Sequence, residues 1–205
     1  MNKTVKAALM ASCLGVMYQA QAQMAPPKSI FDNLSIEIQY GLNNAISPTD
    51  GITSSDYSGF HFFQAGFTYH IDDVWGVRGS FAQTKFTHKD IDGSGVKYSK
   101  LTLQATYNIL TAINNLQQPF DVVAHAGLGL GVGKSEPLPG EDLIGVAQIG
   151  LMPTYRFNTQ FAVFLDGTYV NHFSQNFGFD GLGIKQGSAS YLNVGLGLQY
   201  RFKAN

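Results

Sequence analysis

The sequence predicts an all-β fold, namely an eight-stranded antiparallel up-and-down barrel that spans a membrane. Three observations predict it: 13% of the 205 residues are charged, 13% are aromatic, and the mean hydropathy is −0.02. Soluble globular chains carry about 25% charged residues, and helical membrane proteins need runs of about 20 apolar residues. Disorder is excluded because it requires few aromatic residues and a high net charge. The composition therefore fits strands that alternate between lipid and a polar interior.

Residues 1–22 are predicted to be a cleaved signal peptide. Lys3 and Lys6 precede an uncharged stretch, and Ala20-Gln21-Ala22 is an A-x-A cleavage site. Lipidation at Cys13 and a retained anchor remain alternatives. Cleavage leaves a barrel domain over residues 23–205 with no cysteine, and with 11 basic residues against 14 acidic ones. We expect an exported protein with no nucleic-acid partner, because it has no basic cluster, and no disulfide or cysteine-based metal site.

Period-two alternation marks eight segments of the mature chain. In the first, Leu34, Ile36 and Ile38 face one way, while Ser35 and Glu37 face the other. The segments cover residues 34–42, 60–71, 75–82, 101–109, 121–132, 143–157, 161–172 and 191–202. Most are long enough for a strand that crosses a bilayer at a tilt. The second face is mostly Gly, Ser, Thr, Asn and Gln, which suits the narrow interior of an eight-stranded barrel.

Short and long connections alternate between these segments. Asp72-Asp73 and Asn158-Thr159 form short turns, whereas residues 43–58, 87–96, 135–142 and 174–189 form long polar loops. This is the pattern of periplasmic turns and extracellular loops. Residues 110–119 are the exception, since a connection of this length is expected to contain a short helix or an irregular turn. Aromatic residues fall near both ends of the strands, where interfacial girdles are expected.

Charged and histidine side chains occupy the predicted interior face. They are Glu37, Arg78, Asp121, His125, Arg156, Asp166, His172 and Arg201. Buried charges must be paired or hydrogen-bonded, so we expect a lumenal polar network that plugs the barrel. The alternative is that several of these side chains lie unpaired at the wet rims.

Several short motifs resemble the eight-stranded outer-membrane barrels of the OmpA type, especially the form found in Bacteroidetes. They are Leu103-Gln104, His125-Ala126-Gly127-Leu128-Gly129, Asp166-Gly167-Thr168-Tyr169-Val170-Asn171, Gln175-Asn176 and Phe179-Asp180-Gly181. Two-domain members of that family add a peptidoglycan-binding domain. This chain stops at the barrel, so wall anchoring is not expected.

The last segment resembles the terminal strand that the barrel-assembly machinery reads. Gly197, Tyr200 and Phe202 would form this assembly signal, and Lys203 to Asn205 extend past it. The other expected partners are outer-membrane lipid and lipopolysaccharide, together with an extracellular ligand that the sequence does not identify. We expect a monomer without cofactor or metal.

Three functions are compatible with such a barrel. The first, a structural or surface-interaction role without enzymatic activity, is the one we predict. The second is a small-solute or ion pore, because the inward-facing glycines 127, 129, 131, 195 and 197 leave room unless large neighbours fill it. The third is a lipid A deacylase. His172-Phe173-Ser174 resembles the His-x-Ser signature of such barrels, although Gln175 displaces the following Asn176 by one position.

Overall fold

The protein is a closed barrel of eight antiparallel strands in a computed structural model that describes residues 30–47, 51–114 and 119–202. Each strand pairs with its sequence neighbours, and the first strand pairs with the last to close the sheet. The predicted fold class is therefore confirmed. The predicted signal peptide, Cys13 and the segment after Phe202 lie outside the described residues.

The strands account for most of the described chain. They are β1 (Leu34–Ser47), β2 (Gly59–His70), β3 (Trp75–Thr87), β4 (Gly95–Asn108), β5 (Phe120–Ser135), β6 (Glu141–Arg156), β7 (Phe161–Phe177) and β8 (Gly183–Arg201). A short helix, α1 (Ile109–Asn114), lies between β4 and β5, and 3-10 turns occupy Ile30–Asn33 and Ser54–Tyr57. Among the described residues, no helix has the length and hydropathy to cross a membrane.

Alternation along the strands separates an apolar outer surface from a closed interior. In β1, Ile36, Ile38 and Tyr40 are exposed, whereas Glu37 and Gln39 are buried. The same arrangement continues around the barrel, where large apolar side chains of every strand are exposed on the outside. A protein in water avoids so extensive an apolar surface. This exterior is what the hydrocarbon of a bilayer requires.

Tight turns close the barrel at one end, which we call the turn end. Between β2 and β3, the Asp72 carboxylate accepts hydrogen bonds from the backbone N–H groups of Val74 (2.7 Å) and Trp75 (2.6 Å). These bonds stabilise the charged form and lower the pKa of Asp72. Asn158 caps the turn between β6 and β7 in the same way. The remaining connection at this end, between β4 and β5, contains α1, in agreement with the predicted short helix.

At the opposite end, the loop end, all four connections are shorter than predicted, and the difference is largest for two of them. β1 continues to Ser47, inside the predicted 43–58 loop. β7 continues to Phe177 and β8 begins at Gly183, so five residues remain of the predicted 174–189 loop. The predicted loop boundaries were wrong because the strands stay paired around an apolar cluster inside the barrel. That cluster includes Tyr98, Val170 and Tyr191.

Candidate functional site

The barrel interior contains an ion-pair network at mid-height. The Arg78 guanidinium, on β3, donates from Nε to Glu37 on β1 and from Nη1 to Asp166 on β7, the latter at 3.1 Å. All three side chains are almost fully buried. Two carboxylates therefore share one guanidinium, whose several donors and fixed geometry suit such pairing.

Asp166 is the residue to which most of the network connects. Its Oδ2 accepts from Arg78 and from Gln39 Nε2 (3.1 Å), and its Oδ1 accepts from Thr168 Oγ1 (2.7 Å) and bonds His125 Nε2 (3.1 Å). His125 Nδ1 in turn bonds Gln104 Oε1 at 2.7 Å. We call Glu37, Arg78, His125 and Asp166 the central network. Four of the eight residues expected in the lumen thus lie together.

Lys100 is an interior cation that the sequence analysis missed. It is buried on β4, donates from Nζ to Gln148 Oε1 at 2.8 Å, and lies 5.5 Å from the centroid of the Tyr191 ring. With Glu37 and Asp166 negative and Arg78 and Lys100 positive, the formal charges of these four residues cancel. The predicted fourth segment began at Leu101, whereas β4 begins at Gly95. Extending its alternation backwards would have pointed Lys100 inwards.

His172 lies apart from the central network, in the half of the interior nearest the loop end. There an apolar cluster shares the interior with buried polar side chains such as Asn43, Thr84 and Gln175, so polar side chains alone do not fill the lumen. We call this the apolar cluster; its buried members are Ala45, Tyr57, Phe86, Val96, Tyr98, Ile144, Val146, Val170, Phe179, Ala189 and Tyr191. The His172 ring makes edge contacts with Tyr98 and Tyr191, at centroid distances of 4.6 and 5.0 Å.

The hydrogen bonds of His172 bear on the deacylase hypothesis. Its Nδ1 bonds Gln175 Oε1 at 2.9 Å, and its Nε2 bonds the Tyr191 hydroxyl at 3.1 Å. Ser174 instead lies on the exposed surface, with a positive φ of 60°, where the β7–β8 register shifts. Both ring nitrogens of His172 are thus occupied inside the barrel, while the hydroxyl proposed as nucleophile belongs to an exposed residue.

Asp121, Arg156 and Arg201 lie at the turn end, away from the central network. Asp121 accepts hydrogen bonds from Thr111 Oγ1 (2.7 Å) and from the backbone N–H of Leu110 (3.2 Å), and so holds α1 against β5. Arg156 Nη2 lies 3.6 Å from Asp121 Oδ2. Arg156 and Arg201 both line a pocket of about 50 Å³ beside α1 and the β2–β3 turn.

Other side chains or backbone atoms lie close to the inward-facing glycines. A Cβ at Gly197 would clash with the Phe164 ring, and one at Gly195 would lie 2.8 Å from Gln39 Oε1. At Gly131 it would lie 3.0 Å from Ile144, while Gly127 and Gly129 face Gln104 and Thr102. Phe164 and Tyr191 are two large side chains of the interior, and both are fully buried.

Gly197, Tyr200 and Phe202 lie in or directly after β8. The Tyr200 ring contacts Phe161 in a tilted arrangement at 5.0 Å and Phe202 edge-to-face at 5.0 Å, close to the turn end. Their role as an assembly signal stays a prediction. Among the described residues, no group of three or more His, Cys, Asp or Glu side chains is placed to hold a metal ion.

A closed antiparallel barrel of eight strands is the fold of the small outer-membrane barrels. Two solved structures are similar over most of their length. Neisserial surface protein A (NspA) matches with a TM-score of 0.57 and 15% identity, over 83% of this chain and 97% of that one. Ail, the attachment invasion locus protein of Yersinia pestis, matches with a TM-score of 0.50 and 20% identity, over 82% and 97%.

These similarities establish the fold and support the resemblance to the small OmpA-type barrels. Neither a scan against protein-family models nor a search of curated proteins finds a match.

Proposed function

We propose that this protein is an integral outer-membrane barrel without enzymatic activity, and that it serves as a rigid, non-conducting support for the connections at its loop end. The observation that carries the proposal is the filled interior. A pore requires a continuous aqueous path, whereas here the central network and the apolar cluster occupy successive levels of the lumen.

A non-enzymatic role is supported by the arrangement at His172. A nucleophile needs a base within hydrogen-bond reach, but both nitrogens of His172 bond other side chains in the interior. Its imidazole is buried among aromatic rings, so a lipid substrate on the outer surface has no access to it.

The surface available for interaction is then the loop end, which we assign to the extracellular side because turns of outer-membrane barrels are periplasmic. The connection between β3 and β4 exposes Lys89, Asp90, Ile91 and Asp92. It is held at its base by backbone bonds from His88 to Ser94 (2.9 Å) and from Lys89 to Asp56 (3.0 Å). A loop anchored on a rigid barrel is suited to binding a partner. The name of the similar protein Ail, which refers to attachment, agrees with a surface role.

Single cysteines placed at the two ends of the barrel test this proposal. The residues after Ala22 contain no cysteine, so Asp92→Cys and Thr159→Cys each introduce one reactive thiol, with Cys13→Ser included in both variants. Both substituted residues are exposed, one at the loop end and one in the β6–β7 turn. In intact cells, a membrane-impermeant maleimide should label the Asp92→Cys protein and leave the Thr159→Cys protein unlabelled until the outer membrane is permeabilised.

The same two variants can identify a partner of the loops. A thiol-coupled photo-crosslinker at position 92 should capture an extracellular component that the matched probe at position 159 does not. Labelling of both positions in intact cells, or of position 159 alone, would contradict the proposed orientation and with it the role of the loops.

A further inference from the structure

Three lysines form a row on the outer surface, on three neighbouring strands. Lys85 on β3 lies opposite Lys97 on β4, and Lys97 lies opposite Lys134 on β5. All three alternate with inward-facing residues and therefore point outwards. Among strand residues whose side chains the structure describes, they are the only outward-facing lysine or arginine residues. We call them the lysine row.

Such a row is unfavourable for the isolated barrel, since like charges directly opposite one another in a sheet are destabilising. Acidic side chains lie next to the two outer lysines of the row only. Lys85 Nζ pairs with Glu136 Oε1 at 2.7 Å, and Glu141 on β6 lies opposite Lys134. Lys97, in the middle, has a lysine opposite it on each side. The row therefore keeps uncompensated positive charge, which an anion would stabilise.

The register of the strands gives the height of the row on the barrel. Four residues towards the turn end, Phe81, Leu101 and Leu130 form a matching apolar row, with exposed fractions of 38%, 65% and 53%. Ten residues towards the turn end, the Trp75 ring contacts the Tyr107 ring with a centroid distance of 4.7 Å. These two rings belong to the aromatic girdle predicted near the turn end.

Ten residues span about 34 Å along a strand, or about 26 Å of height at a tilt of about 40°. The apolar band of an outer-membrane barrel is about 25 Å tall. The lysine row therefore lies one membrane thickness from the Trp75–Tyr107 pair, at the headgroup level of the outer leaflet.

We propose that the lysine row is a binding site for the phosphate groups of a phosphorylated lipid in the outer leaflet. The inference rests on the proposed function, because it assumes that the loop end faces outwards. Lysine ammonium groups are effective phosphate ligands, and basic residues at a membrane surface attract anionic headgroups. The acyl chains of such a lipid would lie on the exposed leucines directly below the row, at positions 101, 128 and 130.

Lipid binding by the purified, detergent-folded barrel tests this site. The probe is lipid A that carries both phosphates, titrated and counted by native mass spectrometry. The Lys97→Gln/Lys134→Gln variant should bind it roughly tenfold more weakly or worse, given the contribution of each basic residue near a charged surface. Lys89→Gln, which removes a lysine from the exposed β3–β4 loop, is the matched control and should bind like the wild type.

A second variant should change binding in the opposite direction. Glu136→Gln frees Lys85 from its ion pair, so lipid A should bind more tightly. Dephosphorylated lipid A with the same acyl chains should bind weakly to all variants, and millimolar inorganic phosphate should compete only partially, because it lacks the acyl chains.

The site is refuted if Lys97→Gln/Lys134→Gln binds lipid A as the wild type does, if removal of the phosphates has no effect, or if a soluble sulfated polysaccharide displaces the lipid completely. The proposed function is judged separately, by maleimide labelling. We expect the lysine variants to fold as well as the wild type, since they remove a repulsion. Heat-modifiable migration in a detergent gel checks this.

Discussion

Arg78 on β3 and Asp166 on β7 are joined across the barrel interior at 3.1 Å, although their strands lie on opposite sides of the eight-stranded ring. The pair therefore links two walls that the sheet itself connects only through three intervening strands on either side. Glu37 on β1 completes the bridge by accepting from the same guanidinium. The interior of this barrel is thus fixed by charges as well as by packing.

Removing Arg78 should severely destabilise the protein. Arg78→Met leaves the buried carboxylates of Glu37 and Asp166 without their common cation, and breaking a buried pair in this way costs about 3–5 kcal/mol. Urea unfolding in phospholipid vesicles measures the free energy of unfolding. Lys85→Met is the matched control, because it breaks an exposed ion pair on the same strand and should cost at most about 1 kcal/mol. Equal losses of unfolding free energy for the two variants would show that the central network stabilises the protein no more than an exposed ion pair does.

Lys100 should behave differently from Arg78, although both are buried cations. The hydrogen-bond acceptor of Lys100 is the neutral amide of Gln148, so no buried carboxylate loses its only partner when the charge is removed. In Lys100→Met, the methionine side chain is similar in length to lysine and avoids the cost of burying a charge. We therefore expect a free energy of unfolding within about 1 kcal/mol of the wild type, or higher. A loss as large as that of Arg78→Met would mean that Lys100 is an essential counter-ion of Asp166.

Gly197 should not tolerate a side chain. The Phe164 ring and the backbone carbonyl of Ile38 occupy the space that its Cβ would need. Gly197→Ala should therefore cost about 1–3 kcal/mol through overpacking. Gly167 on β7 offers a control, because the nearest atom to an added Cβ there is 4.0 Å away. If Gly197→Ala unfolds at the same urea concentration as Gly167→Ala, the lumen is less tightly filled than described.

His172 and Ser174 should have no part in lipid chemistry. Mass spectrometry of lipid A from cells that express the wild type, His172→Ala or Ser174→Gly should give one identical acylation pattern. The Ser174→Gly protein should in addition be as stable as the wild type or up to about 1 kcal/mol more stable, because glycine adopts the positive φ of this position without strain. Loss of an acyl chain in the wild type alone would reinstate the deacylase hypothesis.

The sequence predicted which face of the barrel each strand residue occupies better than it predicted where the strands end. The lipid-facing part alternates strictly, as in β1, so each side chain could be assigned to one face. Towards the loop end large apolar side chains such as Phe86 and Tyr98 point inwards while Lys85 and Lys97 point outwards, so the pattern of the lipid-facing part is reversed there. The strand extensions into the predicted loops and the apolar cluster were therefore missed.

The interior charges were only partly predictable, for a related reason. Alternation places Glu37, Arg78, His125 and Asp166 on the inner face, but it does not give their heights. Those depend on the stagger between strands. Hence the alternation alone could not show that His172 lies nearer the loop end than the central network does. Nor could it show that Asp121, Arg156 and Arg201 lie at the turn end. Lys100 was missed because the fourth segment was predicted to begin at Leu101, whereas β4 begins at Gly95.

The filled interior is the central claim, and electrical recording tests it most directly. Purified protein reconstituted into a planar bilayer, with insertion verified by heat-modifiable migration of the same preparation, should give no steady unitary conductance. This expectation rests on the apolar cluster and the central network, which lie at successive levels of the interior. Reproducible single-channel steps from the folded wild-type protein would contradict this account.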